Sequence, residues 1–270
     1  ILDLSLNNYK NSMLKVNYQK VTNDNYLKIF NLESAIVPVN SNVLESIIEL
    51  NLEHENYDLT TSFEMFETLK GSNSDRYQYV LPSYNFSKNF SFEGVGGSYN
   101  FNSYGNNTLR DTNITTSKNF NDLKYLSINN LLDNGITTNF EISLKNVNTT
   151  GKNDLEYKEK LHSKLMSAYT YNASLPMIKK TSSSFNTLEP KLSLRLSPHN
   201  MKDNKNVERR ININNIFASN RLSIDDSFEG GESLTLGLNF KKEKVNKVKE
   251  LTEINEYIDF KLASVFRLNE

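Results

Sequence analysis

Apolar and polar residues alternate along much of this chain, in runs interrupted by clusters of Asn, Asp, Gly and Pro. Successive side chains on a strand point to opposite faces, so each run predicts a strand with one greasy and one wet side. The cleanest run is 136–146, where Ile136, Thr138, Phe140, Ile142 and Leu144 alternate with Thr137, Asn139, Glu141, Ser143 and Lys145. Two more flank a long Asn/Asp-rich excursion. In 188–198 Leu188, Leu192, Leu194 and Leu196 oppose Glu189, Lys191, Ser193 and Arg195, and in 232–240 Leu234, Leu236, Leu238 and Phe240 oppose Ser233, Thr235 and Asn239. The same pattern predicts strands over 12–21, 44–53, 57–69, 77–92, 95–102, 108–117, 165–177 and 257–268. That makes about eleven antiparallel strands, many near the ~9–11 residues that cross a bilayer at a tilt. No segment keeps a convincing 3.6-residue period, and only 26–34 suggests a helical turn.

The connections alternate only roughly between short turns and long polar loops. Short turns are expected at 54–56, 93–94, 105–107 and 179–184, and a polar loop at 71–75. Long loops are expected at 119–135, 148–164, 198–231 and 242–256. Two long loops in succession break the rhythm, which a strand hidden near 123–129 would repair. Pro82, inside the 77–92 strand, predicts a bulge or a change of pairing.

Composition narrows the partners. The chain has 270 residues, 37% hydrophobic and 23% charged, with net charge −1. That balance carries no footprint for nucleic acid. No cysteine is present, so neither a disulfide framework nor a thiolate metal site is possible. A mean hydropathy of −0.57 is compatible with a membrane barrel, because lumen faces and loops are polar. The chain opens on Ile1 inside a strand-like run, which predicts an internal piece of a longer protein.

Reactive chemistry is sparse. His54, His162 and His199 lie in or beside turns and lack metal-ligand spacing, so neither a metal nor a cofactor is expected. Ser197-Pro198-His199 lacks the strand–elbow–helix context of a nucleophile. Gly94-Val95-Gly96-Gly97 precedes a strand rather than the helix a phosphate cradle needs. Asp225-Asp226 lacks the calcium-loop pattern, and Lys241–Lys249 reads as a solvated basic run.

The block from 188 to 240 supplies a resemblance. It reads Leu188-Glu189-Pro190 at a strand start, then Asn215-Ile216-Phe217, Asn220-Arg221 and Asp225, and Gly230-Gly231 before Leu234-Thr235-Leu236-Gly237-Leu238. Upstream come Asn23-Asp24-Asn25-Tyr26-Leu27, Tyr79-Val80-Leu81-Pro82-Ser83-Tyr84 and Ser174-Leu175-Pro176. In this order the features resemble the barrel domain of the LptD family of LPS-assembly outer-membrane proteins, the organic-solvent-tolerance family. The resemblance implies an all-β, antiparallel transmembrane β-barrel of about 26 strands, of which residues 1–270 are an incomplete part of a single domain. The family's periplasmic domain, its paired cysteines and its closing C-terminal strand are not found in the sequence.

Such a protein, in the bacterial outer membrane, takes lipopolysaccharide from a periplasmic bridge protein and releases it into the outer leaflet. An LptE-like lipoprotein plugs the lumen. No bond is made or broken, so no catalytic residue is expected. Lipid tails leave between strands, since a polar lumen would forfeit about 0.8 kcal/mol per CH₂ of apolar burial. The family parts its first and last strands, and neither is expected here.

Particular faces and residues follow. Ile48, Leu50, Phe140, Ile142, Leu236 and Leu238 should face lipid, and Glu49, Glu141, Ser143 and Thr235 the lumen. Within 199–231, Ile216 to Asp226 should fold back on the barrel. Phe217 would be its anchor, and Arg221 would be tied to an acid such as Asp225. Glu189, Asn220, Arg221 and Asp225 are the candidate lumen or rim residues. Two rival classes stand beside this reading: another outer-membrane barrel such as a porin or receptor, and a soluble surface-exposed β-rich adhesion module.

Overall fold

The computed structural model describes residues 1–30, 41–70, 75–181, 184–200, 210–248 and 251–268. The end of the expected 26–34 segment, most of the 71–75 loop and residues 201–209 of the long excursion lie outside the described residues. The strands in order are β1 (Leu2–Asp3), β2 (Asn11–Asn17), β3 (Val43–Glu53), β4 (Tyr57–Thr68), β5 (Tyr77–Phe92), β6 (Val95–Arg110) and β7 (Ile114–Leu126). Then follow β8 (Asn130–Leu131), β9 (Thr137–Lys152), β10 (His162–Ser174), β11 (Met177–Lys180), β12 (Ser184–Ser197), β13 (Gly231–Val248) and β14 (Leu251–Arg267). A single helical turn, α1 (Tyr26–Ile29), falls inside the 26–34 segment.

All fourteen strands belong to one sheet. Its path runs β1-β2-β3-β4-β5-β6-β7-β9-β10-β12-β13-β14, with β8 on β9 and β11 on β12, and does not close on itself among the described residues. The fold class is the all-β antiparallel one that the alternation predicts. Setting aside β1, β8 and β11, which have two to four residues each, leaves the eleven strands expected. By contacts the chain divides into two units. One comprises 1–90, 100–122 and 146–165, the other 91–99, 123–145 and 166–270.

Pairing corrects several expected connections. The predicted turn at 105–107 lies inside β6, and the predicted strand at 108–117 holds the turn between β6 and β7. Gly105 marks a close approach rather than a turn, since a Cβ there would stand 2.2 Å from the Lys118 carbonyl oxygen. The supposed loop at 119–135 contains most of β7, which is the missing strand that restores alternation. β9 runs six residues past Asn146, and β13 and β14 run through the supposed loop at 242–256, pairing as far as Val248 with Leu251. In all these stretches Asn, Lys and Glu masked the strand. Ladder hydrogen bonds come from the backbone and need no apolar side chain.

Two prolines behave as strand physics requires. Between Ser62↔Ser83 and Glu64↔Val80, Phe63 opposes both Leu81 and Pro82, so the bulge expected at Pro82 is present. Pro190 sits at the seam where β12 changes partner, between Lys191 on β10 and Leu188 on β11. Its carbonyl still accepts from the Leu175 N–H at 3.1 Å, while its missing N–H falls where no ladder bond is formed on that side.

Which face is wet emerges from burial. In the second unit Phe140, Leu194 and Leu236 are 45%, 44% and 43% exposed, whereas Ser143, Arg195 and Thr235 are 6%, 5% and 2% exposed. The polar face is buried and the apolar face is bare, the reverse of a water-soluble sheet. Tyr99, Tyr125 and Phe140 pack in series on that apolar side, with centroids 4.7 and 5.5 Å apart. Strand β3 of the first unit departs from the pattern. Ile48 is exposed, but Leu44 and Ile47, which alternate, are both buried, and Glu49 and Leu50 are both half-buried.

Candidate functional site

Between β12 and β13 the chain leaves the ladder for a run of turns built from asparagine. The Asn215 side chain accepts from the Asn212 N–H at 2.7 Å and donates to the Arg210 carbonyl at 3.0 Å. Asn212 in turn accepts from the Asn214 N–H at 2.9 Å. Short polar side chains that bond nearby backbone are what such turns require. This brings Ile216, Ile224 and Phe228 inward, each buried. The ring of Phe217 lies on β13 at Gly237, where a Cβ would come within 2.5 Å of its Cζ. Gly237 shares its face with Ser233 and Thr235, so the ring rests on the polar side of the sheet. The structure therefore places Phe217 as an anchor on that side.

Behind this anchor lies a buried charge cluster. Arg221 is 2% exposed; its Nε donates to Glu229 Oε2 at 2.9 Å and its Nη2 to Ser233 Oγ at 3.0 Å. Arg267 on β14 donates Nη2 to the other carboxylate oxygen of Glu229 at 2.7 Å. From β12, Arg195 reaches the Ser219 carbonyl at 2.8 Å and the Glu229 carbonyl at 2.6 Å. The Glu229 carboxylate thus ties two guanidinium groups, one from the loop and one from β14, while its backbone carbonyl holds a third from β12. Burial pushes the Glu229 carboxyl up, but the hydrogen bond from Arg267 and the nearby Arg221 and Arg195 charges outweigh it and hold the group below its ordinary value. Lys145, also buried, lies 5.6 Å from the Phe228 ring centroid.

The candidate residues separate. Arg221 joins the cluster, but its acid is Glu229, not Asp225, which is exposed. Asn220 shapes the loop, donating to the Ile224 carbonyl at 2.9 Å and accepting from the Ile224 N–H at 3.4 Å. Glu189 stands apart on β12, held by Lys191 at 3.0 Å and Asn239 at 3.2 Å. His199 is more than a solvated turn residue. Its ring spans the loop's two ends, with Nδ1 3.1 Å from Ser197 Oγ and Nε2 3.0 Å from the Phe228 carbonyl.

Sequence reading missed Arg195, Glu229, Arg267 and Lys145. Three of them carry a usable signal, since each is a charge on the polar side of an alternating strand. Glu229 carries only its place before Gly230-Gly231 and is found by geometry.

The arrangement offers fixed charge, carbonyls and hydroxyls. Among the described residues, no group of three or more His, Asp or Glu is placed to hold a metal ion.

No curated protein matches the chain. Over residues 5–270 it matches the family model LptD, described as LPS transport system D. With that match covering nearly the whole of an all-β antiparallel sheet, the chain belongs to the LptD family, which transports and assembles LPS at the outer membrane.

Proposed function

We propose that residues 1–270 are part of a single outer-membrane β-barrel whose lumen passes the LPS head group, with the 210–230 segment shaping that passage. The observation that carries this is the inverted burial of β9, β12 and β13: polar side chains inside, leucines and aromatics outside. Only an apolar solvent stabilises that arrangement. Arg221 and Asn220 hold the segment in place, while Asp225, exposed, and Glu189, half-buried, are the contacts offered at the lumen or rim. Their role is positional, so the reading assigns no bond-making step. Nothing among the described residues favours the porin, receptor or adhesion alternatives.

Connections support an orientation. The end that carries 54–56 and 93–94 also carries 127–136, and the other end carries the two longest connections, 18–42 and 198–230, beside the three-residue turn 111–113. Outer-membrane barrels put short turns in the periplasm and longer loops outside, so the 210–230 segment enters from the outer end. The partners in this reading are LPS, a periplasmic bridge protein that delivers it, an LptE-like lipoprotein filling the lumen, and outer-membrane lipid. The test is photo-crosslinking in cells from the full-length protein, with a crosslinker replacing Asp225, Glu189 or, on the outer face, Leu236. LPS is expected to be captured from 225 and 189 in a transport-dependent way, and at Leu236 independently of transport. Capture at 225 and 189 that ignores a block in LPS delivery would overturn the passage.

A further inference from the structure

The first unit carries a set of polar side chains on its less buried face. On β7, Asn121 donates to Asn119 at 2.8 Å and to Asn146 on β9 at 3.2 Å. Asn148 donates to Asn119 at 3.1 Å and to Asn146 at 2.5 Å, closing a ring of four amides over two strands. The ring extends on both sides, from Ser103 on β6 to Asn121 at 2.8 Å and from Asn146 to Ser163 on β10 at 3.4 Å. Tyr84 on β5 is bonded to Asn119. These side chains are half-buried, and their strand neighbours Phe120, Val147 and Thr149, which point the other way, are buried. The row is therefore on the outside.

Its position along the strands is the telling feature. Two residues further along, toward the end with the 93–94 turn, the same face turns apolar in the strands that carry the row. Tyr84 is followed by Phe86, Ser103 is preceded by Phe101, and Ser163 is followed by Leu165, which is 71% exposed. Phe86 and Phe101 pack at 6.2 Å. The same step occurs in sequence along β7, from Asn121 to Leu123, and along β9, from Asn146 to Leu144. A polar-to-apolar step at one level on five strands is how a barrel meets the edge of a hydrocarbon layer. The row holds amides and hydroxyls without charge, so its complement is a head group rich in neutral donors and acceptors rather than a phosphate, which calls for Arg or Lys.

We propose that Asn119, Asn121, Asn146 and Asn148, flanked by Ser103 and Ser163, form a contact surface for the sugar head groups of outer-leaflet glycolipid, with the hydrocarbon edge at Phe101 and Leu165. This rests on the outer-membrane barrel reading, and its test separates the two. The full-length protein is reconstituted in phosphatidylcholine vesicles, with and without a glycolipid bearing a short uncharged oligosaccharide. Nitroxide is attached at Phe101→Cys, below the row, or at Ser117→Cys, one step above Asn119 on the same face, and its access to oxygen and to a water-soluble nickel complex is read. Phe101 should favour oxygen in both vesicles. Ser117 should favour nickel, with nickel access falling severalfold when glycolipid is present. The Asn119→Ala/Asn148→Ala background should abolish that fall. No glycolipid effect at 117, hydrocarbon-like access there, or a fall that persists in the alanine background overturns the row while the barrel stands. Nickel access at 101 equal to that at 117 overturns the barrel itself.

Discussion

Two polar clusters in this protein, one in each unit, are built differently. In the second unit Arg195, Arg221, Glu229 and Arg267 are charged, and all but Arg267 are almost wholly buried on the inner side. In the first unit Asn119, Asn121, Asn146 and Asn148 are neutral and half-buried on the outer side. A buried charge must be paired or it destabilises the fold, and here one carboxylate answers two guanidinium groups while backbone carbonyls satisfy a third. A half-exposed amide has no such need, because water or a head group completes its hydrogen bonds. The difference teaches that alternation gives two faces, while the kind of polar group shows how far each face is from water.

The largest effect should come from breaking the charge cluster. Glu229→Ala leaves Arg221 and Arg267 without their shared acid, and removing one partner of a buried pair costs about 3–5 kcal/mol. Denaturant unfolding of the full-length protein in detergent measures it. Arg221→Ala should approach the same loss, and Arg221→Lys should recover part of it, because an ammonium lacks the fork that reaches both Glu229 and Ser233. A loss under about 1 kcal/mol in the alanine variants would make the cluster an exposed one in effect.

Arginine scanning along β9 sharpens the contrast between levels. Ile142→Arg should cost roughly 2–4 kcal/mol near the bilayer midplane, and Asn148→Arg, on the same face, about 0–1 kcal/mol. Equal costs would remove the apolar band. Ser143→Arg should be harmful although Ser143 is on the polar face, since it is buried and 3.3 Å from Ser219 Oγ. Gly237→Val comes next. Its added carbons meet the Phe217 ring, and overpacking of this kind costs typically about 1–3 kcal/mol. A Phe217→Ala partner change should relieve most of that loss.

The sequence reading went furthest where one face is apolar. Phe140, Ile142 and Leu144 in β9, and the leucines of β12 and β13, made those strands visible by period alone. It failed at β7 and at the ends of β9, β13 and β14, where Asn, Thr, Lys and Glu occupy both faces and leave no contrast to count. The site was legible in part for the same reason. Phe217 and Arg221 stood out as an apolar anchor and a lone fork in a polar excursion. Glu229 did not, because which of several nearby acids meets a guanidinium depends on the turn at 220–224, where Ser223 adopts a positive φ of 48°. Local sequence does not fix such a turn uniquely.

The smallest effect expected is on acid sensitivity. Glu229 is held ionised in the folded protein below its ordinary value. Its share of the stability is therefore complete above the ordinary carboxylate pKa and is lost as pH falls through the lower, folded one. Unfolding of the full-length protein should then be insensitive to Glu229 between neutral pH and about pH 5, with a decline beginning only in the more acidic range where unfolded carboxyls take up protons. Glu229→Gln should be less stable at neutral pH, because its neutral amide no longer answers Arg221 and Arg267, and should lose less on acidification. The gap between the two proteins should narrow as pH drops. No corresponding gap should appear for Asn148→Ala, which titrates nothing. A gap that widens toward acid would mean that Glu229 is protonated in the folded state and that Arg221 and Arg267 are held by something else.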